Sequence, residues 1–415
     1  MSLPIIPLKS DEHWDCHQCG VCCHGSIVPL SLEDAERLQG QQWGNEPEFE
    51  HTRWTVSHRT AASSLRLAHR DDGTCVFLNE KGLCRIHSKF GVEAKPTVCQ
   101  TFPLQLIPLE KQVVLTIRRA CPSAAADLGD TVATRLPNVK RLVRNGHLKA
   151  AATPPPTFKT GEFRQWRTIQ TILDEAGRLM RDQRYPPVRR MVHLLQYASH
   201  LEAAKTRRMD HNQIAELAST LREWEPEESK PFFAEPRPPK TYARILLRRT
   251  AMVCGRLHPE CRHRASSKAR IELAQIAWRV MRGKGITPTF NHVFPASTFE
   301  ALEESVGIKS AEVYEPLTRF IETNSESFLY AIANRGRWSV IESMRGLALL
   351  FPVGMWLLRW QSYGREPTVD DMLKVVVMLD RSQGYGPLSG LAHRQLITTL
   401  AFHEELERLV VWYVR

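Results

Sequence analysis

Cys16-His17-Gln18-Cys19-Gly20-Val21-Cys22-Cys23 places four thiols within eight residues, and this stretch decides how the rest of the chain is read. The spacing Cys16-x2-Cys19-x2-Cys22 gathers three sulfurs into one loop, a donor set suited to soft metals that bind thiolate. It equals the first three ligands of a bacterial ferredoxin run, but the next cysteine is the adjacent Cys23. A radical S-adenosylmethionine triplet, C-x3-C-x2-C, is absent because Cys16 and Cys19 stand one residue too close. Cys22 and Cys23 would strain an ordinary disulfide with each other.

Eight of the ten cysteines lie in the first 121 residues: Cys16, Cys19, Cys22, Cys23, Cys75, Cys84, Cys99 and Cys121. The start, Met1-Ser2-Leu3-Pro4-Ile5-Ile6-Pro7, shows no basic segment leading into an apolar run, so no secretory signal is visible. Crowded thiols without an export signal point to metal thiolates in a reducing cytoplasm rather than to disulfides. Iron–sulfur and zinc both remain open, since two four-cysteine sites would use all eight thiols. Cys254 and Cys261, spaced C-x6-C in a basic helical stretch, are expected in the core or on the surface instead. His17, His24 and His87 are candidate ligands, with an outer or surface role the expected one. Arg85, Arg118 and Arg119 lie near cysteines, placed to offset thiolate charge, to hold a carboxylate or phosphate, or simply to face solvent.

Around these cysteines the sequence predicts small elements and turns. Ser31 with Asp34 predicts a capped helix over 32–38, and Pro96 opens a short helix carrying Cys99 that Pro103 ends. Residues 64–68, 75–78 and 113–118 alternate as strands, the last delivering Cys121-Pro122. From about Pro137 onward helical spacing takes over. Phe163, Trp166, Ile169, Ile172 and Leu173 share one face, and a Pro- and Glu-rich break spans 225–240. Further helices are expected at 242–257, 265–282, 311–332, 338–350, 369–381 and 392–412, with no fixed-period repeat. The apolar run from Leu347 to Leu358 is interrupted by Pro352 and Gly354 and closed by Arg359, too short to cross a bilayer. The expected fold is therefore mainly α: a small cysteine-rich α+β metal-binding head followed by a larger all-helical region. Its expected divisions are residues 1–130, a connecting helix and Pro-rich linker over 131–160, and a basic helical region over 161–415.

Charge is uneven along the chain. Residues 1–130 carry 13 Lys/Arg against 16 Asp/Glu, while residues 140–284 carry 30 against 14. A basic middle suits an acidic partner, or else it is an Arg-rich solvated helix surface. No RNP-type motif, zinc-finger histidine pair or basic-leucine pattern is present, so nucleic acid is not the expected partner, and neither is a membrane.

As a whole the cysteine pattern resembles the eight-cysteine CxxCxxCC family of zinc- or iron-chelating domains. The residues that carry the resemblance are the opening Cys16–Cys23 run, then Gly73-Thr74-Cys75-Val76-Phe77-Leu78 and Gly82-Leu83-Cys84-Arg85-Ile86-His87. They continue through Lys95-Pro96-Thr97-Val98-Cys99-Gln100-Thr101-Phe102-Pro103 to Cys121-Pro122, covering about the first 125 residues. That family includes the flagellin lysine N-methylases, similar to this chain in length and in having a helical tail, with loose likeness around 326–337 and 368–386. The resemblance implies a zinc or 4Fe–4S head and methyl transfer from S-adenosylmethionine to lysines of a protein such as flagellin. The chain itself shows no glycine-rich methyltransferase loop, Gly283-Lys284-Gly285 lacking the strand before it, and names no catalytic or cofactor-binding residue. The alternative is a non-enzymatic, zinc-stabilised interaction module that binds an acidic partner.

Overall fold

The structure is a computed structural model describing residues 3–8, 11–49, 52–60, 63–146, 148, 153–260, 267–290, 292–304, 310–332, 338–383 and 387–414. Cys261, and parts of the tail segments 326–337 and 368–386, lie outside the described residues. Helix accounts for 58% of the chain and strand for 9%, so the protein is mainly α with its strands confined to the N-terminal part.

Among the described residues six strands make two small sheets: β1 Ile5–Pro7, β2 Pro29–Leu30, β3 Thr55–Thr60, β4 Ser63–Leu67, β5 Leu104–Pro108 and β6 Val113–Ile117. One sheet has the order β1-β6-β5, β6 pairing parallel to β1 and antiparallel to β5; the other has the order β2-β4-β3 and is antiparallel. Every residue of β6 is buried, because both its faces are covered. Val113, Leu115 and Ile117 face a core with Val139, whereas Val114 joins the core of the helical region. With Ile107, Leu109 and Ala125, which join the same core, it ties head to body. A second head core is built on Trp43, Phe49 and Phe77, whose ring centroids lie 5.0–5.3 Å apart.

Among the head's helices are α1 Leu32–Gly40, α2 Arg85–Phe90, α3 Thr97–Thr101, α4 Pro122–Ala125 and α5 Leu136–Arg144. The body begins with α6 Trp166–Met180, α7 Pro187–Ala203, α8 His211–Glu228, α9 Lys230–Ala234, α10 Thr241–Gly255 and α11 Ser267–Arg282. It continues with α12 Phe299–Glu303, α13 Glu315–Ser327, α14 Leu329–Ile332, α15 Val340–Gln361, α16 Val369–Ser382, α17 Leu391–Ala401 and α18 Glu405–Trp412. Capping boxes start α1 at Ser31, α8 at Asp210, α15 at Ser339 and α16 at Thr368, so four N-termini have their first amides satisfied by local sequence.

Several expected elements differ. Residues 75–78 form no strand; Cys75 makes only an isolated bridge to His69 and Leu78 one to Cys84. Phe163 precedes α6 and is 78% exposed, outside the buried stripe of Trp166, Ile169, Ile172 and Leu173. The chain expected as one helix over 311–332 turns at Phe328, in the left-handed region at φ 57°, and the 392–412 helix breaks at His403 and Glu404, both at φ 60°. Conversely α8 runs through Pro226, and α15 runs unbroken through Pro352.

α15 is the axis of the body. It is apolar nearly all round, and every residue from Val340 to Trp360 is buried by α7, α10, α16, α18 and their neighbours. Tertiary packing on all sides overrides the helix-breaking tendency of Pro352. Close approach explains two glycines: a Cβ on Gly346 would lie 2.8 Å from Trp338, and one on Gly354 3.2 Å from Leu379 of α16. At 22 residues α15 is also long and apolar enough to cross a membrane, but it is wholly enclosed by the other helices, which is the usual condition of a central core helix.

His193 of α7 is fully buried, neither ring nitrogen has a hydrogen-bond partner among the described residues, and burial pushes its pKa down to about 4. In the unfolded chain the ring titrates near 6.5, so the unfolded state binds the extra proton between those values. This group's contribution to stability is complete above pH ~6.5 and is lost as pH falls toward 4, an effect of up to about 3 kcal/mol. In urea titrations at pH 7.5 and 4.5, His193→Leu is expected to narrow the gap between the two stabilities by roughly that amount. An unchanged gap would show that His193 takes up its proton over the same pH range in the folded and unfolded states.

Candidate metal centre

The Cys16–Cys23 loop is anchored at both ends by main-chain hydrogen bonds. Upstream, Trp14 N donates to Asp130 O and Asp15 N to Leu128 O, both at 2.9 Å, which lays the loop beside the Cys121 turn. Downstream, Cys75 N donates to Cys23 O at 2.8 Å and Gly25 N to Gly73 O at 2.9 Å. Gly20 must be glycine where the loop turns. Its φ is +71°, and a Cβ there would meet Gly82 O at 2.8 Å. The loop is thereby pressed against the 79–82 turn that leads to Cys84.

The remaining thiols come from short elements arriving at this loop. Cys84 precedes α2, Cys99 lies within α3, and Cys121 precedes α4 with Pro122 at its first position. Backbone amides reach several sulfurs: Val21 N–H toward Cys19, Phe77 N–H toward Cys75, and Ser123 and Ala124 N–H toward Cys121. Each such bond favours the thiolate, the form that ligates metal.

The electrostatic neighbours sort the eight thiols into two groups. Cys23, Cys75, Cys84 and Cys99 form an inner group, in which Cys75 and Cys84 act on Cys23 and on Cys99. Burial is the main cause pushing Cys75 up to about 11 and Cys99 higher still. Cys16, Cys19 and Cys121 form an outer group around Cys19, and Cys16 and Cys19 are exposed at residue level. Cys22 adjoins both. Its neighbour's Cys23 S–H donates to it, lowering Cys22 to about 6 and raising Cys23, while Lys95 and Arg381 also favour the Cys22 thiolate. Among the described residues no three His, Cys, Asp or Glu side chains are already closed into a metal-holding set. The donor chemistry nonetheless fits a thiophilic metal: soft sulfurs, amides directed at them, and cations beside them.

The three arginines singled out by proximity in sequence serve internal carboxylates. Arg85 pairs with Glu48 at 2.6 Å, Arg118 with Asp380 at 2.9 Å, and Arg119 with buried Glu12 at 3.1 Å. The cations that do face the sulfurs are Lys95, Arg70 near Cys75, and Arg381 near Cys19, Cys22 and Cys121. Arg381 was invisible to sequence reasoning, since 360 residues separate it from Val21, whose carbonyl it contacts. His17 Nδ1 lies 2.8 Å from Ser123 Oγ and 3.0 Å from Asp15 O, fixing the loop, and His87 is exposed on α2. Cys254 is fully buried in α10, among apolar neighbours of the body core, and burial raises its thiol to about 12.

Residues 15–122 match the family model CxxCxxCC, described as "Putative zinc- or iron-chelating domain". The head matches that family. No curated protein and no solved structure matches the chain. The matched CxxCxxCC segment begins one residue before Cys16 and ends one after Cys121, so it encloses all eight clustered thiols and excludes Cys254. It also encloses both anchoring bonds to Gly73 and Cys75, and the β5–β6 hairpin through which the head shares a core with the body.

Proposed function

We propose that the protein binds metal through the eight thiols of its CxxCxxCC head, with the inner group held as a closed, structural site and the outer group accessible for chemistry. The observation that carries this reading is the meeting of four separate chain segments at one loop, each bringing a cysteine whose sulfur sits among other sulfurs. A closed four-thiolate site favours stability, whereas exposed ligands leave a position for a substrate or cofactor. In the finer form of the reading, the outer site is a 4Fe–4S cluster or zinc, and the body docks an acidic protein such as flagellin. A lysine ε-amine, first stripped of its proton, would take the methyl of S-adenosylmethionine as the sulfonium C–S bond breaks to leave S-adenosylhomocysteine.

The body's own charges bear on the partner. Several of its arginines are held in ion pairs: Arg190 with Glu322, Arg222 with Glu175, Arg345 with Glu202 and Arg394 with Glu342. This favours a docking surface of limited extent over a general polyanion site.

The test is to purify the chain anaerobically, record its visible spectrum, and quantify iron, acid-labile sulfide and zinc per chain. Iron with sulfide and visible charge-transfer absorption supports the cluster form and makes methyl transfer to lysine-bearing protein the next assay. Stoichiometric zinc with no iron, persisting after cluster reconstitution, leaves a zinc-stabilised interaction module. No bound metal under any loading condition refutes the metal-binding reading.

A further inference from the structure

The C-terminal end of α16 reaches out of the body and into the head with two consecutive side chains. Asp380 turns toward the Cys121 strand end: it accepts from Arg118 Nε at 2.9 and 3.1 Å and from Ala120 N at 2.6 Å, while its own carbonyl accepts from Arg118 Nη2 at 2.5 Å. Arg381 turns the other way. Its Nη2 donates to Val21 O at 2.7 Å, inside the cysteine loop, and its Nη1 to Leu257 O of the body at 3.4 Å. Asp380 is engaged with Arg118, and among the described residues no carboxylate forms an ion pair with Arg381. Besides the adjacent Asp380, the ionisable groups that the guanidinium faces are the thiols of Cys19, Cys22 and Cys121, drawn from the loop and from the Cys121 turn.

A guanidinium partly removed from water without a carboxylate is costly unless another negative charge stands opposite it. Thiolates on a divalent cation supply that charge, since four of them leave a net charge of about −2 on the site. We propose that Arg381 is a positioning residue of the outer thiol group, which couples metal occupancy there to the seating of the CxxCxxCC head on the helical body. This inference rests on the metal-binding reading above. Coupling of this kind is reciprocal: metal in the outer site strengthens the contact between α16 and the loop, and the docked body slows loss of metal from the loop.

The experiment follows metal release from the full-length, metal-loaded protein to the colorimetric chelator 4-(2-pyridylazo)resorcinol, for the wild type, Arg381→Gln and Arg381→Lys. Groups that support metal ligands from outside typically change affinity by ~10–100-fold. Arg381→Gln is therefore expected to speed one phase of release by roughly that factor, leave the slower inner phase unchanged, and be partly rescued by Arg381→Lys, which keeps the charge. In the wild type, chelation should also raise amide exchange in residues 376–382, an effect that a merely structural arginine would not produce. Equal release from wild type and Arg381→Gln, or exchange at 376–382 indifferent to metal, overturns the proposal. Should Arg381→Gln not fold, amide exchange at 376–382 in the metal-loaded and metal-stripped wild type decides by itself, indifference to metal again overturning the proposal. A wild-type protein that holds no metal before any variant is compared refutes the underlying metal reading, and the coupling with it.

Discussion

Replacing Cys75 by serine is expected to empty the inner thiol group and to destabilise the head by roughly 3 kcal/mol or more. Cys75 is buried at 7% exposure and packs among Val76, Phe77, Leu67 and Ile86, so the change strikes ligand and core together. A serine oxygen is a poor substitute for thiolate on a soft metal, and its hydroxyl would be buried beside apolar groups. The head core is small, and a small core leans on its metal for stability, so metal content and folding should fall together. Elemental analysis of the purified variant should show one metal site lost, and limited proteolysis should cut within residues 11–100 while the body resists. Cys16→Ser is the matching control. It alters an exposed thiol of the outer group and is expected to lower metal content without exposing the head to protease. Identical metal content in Cys75→Ser and wild type would remove Cys75 from the ligand set.

Trp356→Ala is expected to cost the body about 3–5 kcal/mol, read as a fall in the urea midpoint with little change in slope. Trp356 lies in the middle of α15 with no exposed surface, 5.6 Å from the ring of Trp360 and 6.5 Å from that of Phe299. Trp360 in turn stacks on Phe294 at 4.1 Å, so alanine would leave a cavity at the centre of a ring cluster joining α12, α15 and the 290–294 segment. The indole N–H of Trp356 has no acceptor among the described residues, which makes Trp356→Phe the informative companion. Phenylalanine keeps most of the packing and removes the unsatisfied donor, and it should recover most of the lost stability. Metal content should be unaffected in both variants, because the ring cluster lies in the body core and the thiols do not. A variant that lost its metal would show that body and head fold as one cooperative unit.

The local parts of this molecule were legible because the residues that build them are neighbours in sequence. Ser31 with Asp34 satisfies a helix's first amides within one turn, and the cap stands where the pair predicts it. Val113–Ile117 is read as a strand from its β-branched and apolar residues alone, which fit a pleated surface. Its partner β5 and the short β1 escaped, because a three- to five-residue strand is defined by whom it pairs with, and Ile5 pairs with Val113 more than a hundred positions away. Pro352 was misjudged for the same reason. Its cost to a helix is local and visible, while the enclosure that outweighs it comes from α7, α10, α16 and α18.

The cysteine spacing by itself determined that eight of the ten thiols crowd into the N-terminal part, because those around Cys16, Cys75 and Cys99 come with the turns that carry them. Only the tertiary structure decided how the thiols divide, with Cys23, Cys75, Cys84 and Cys99 inward and Cys16, Cys19 and Cys121 outward. It also decided which cations answer them: Arg85, Arg118 and Arg119 are taken by carboxylates, while Lys95, Arg70 and, from the far end of the chain, Arg381 face the sulfurs. The physical reason is range. Turns, caps and ligand spacing are fixed by bonds across a few residues, whereas charge compensation and burial act through space, and sequence distance places no limit on who supplies them.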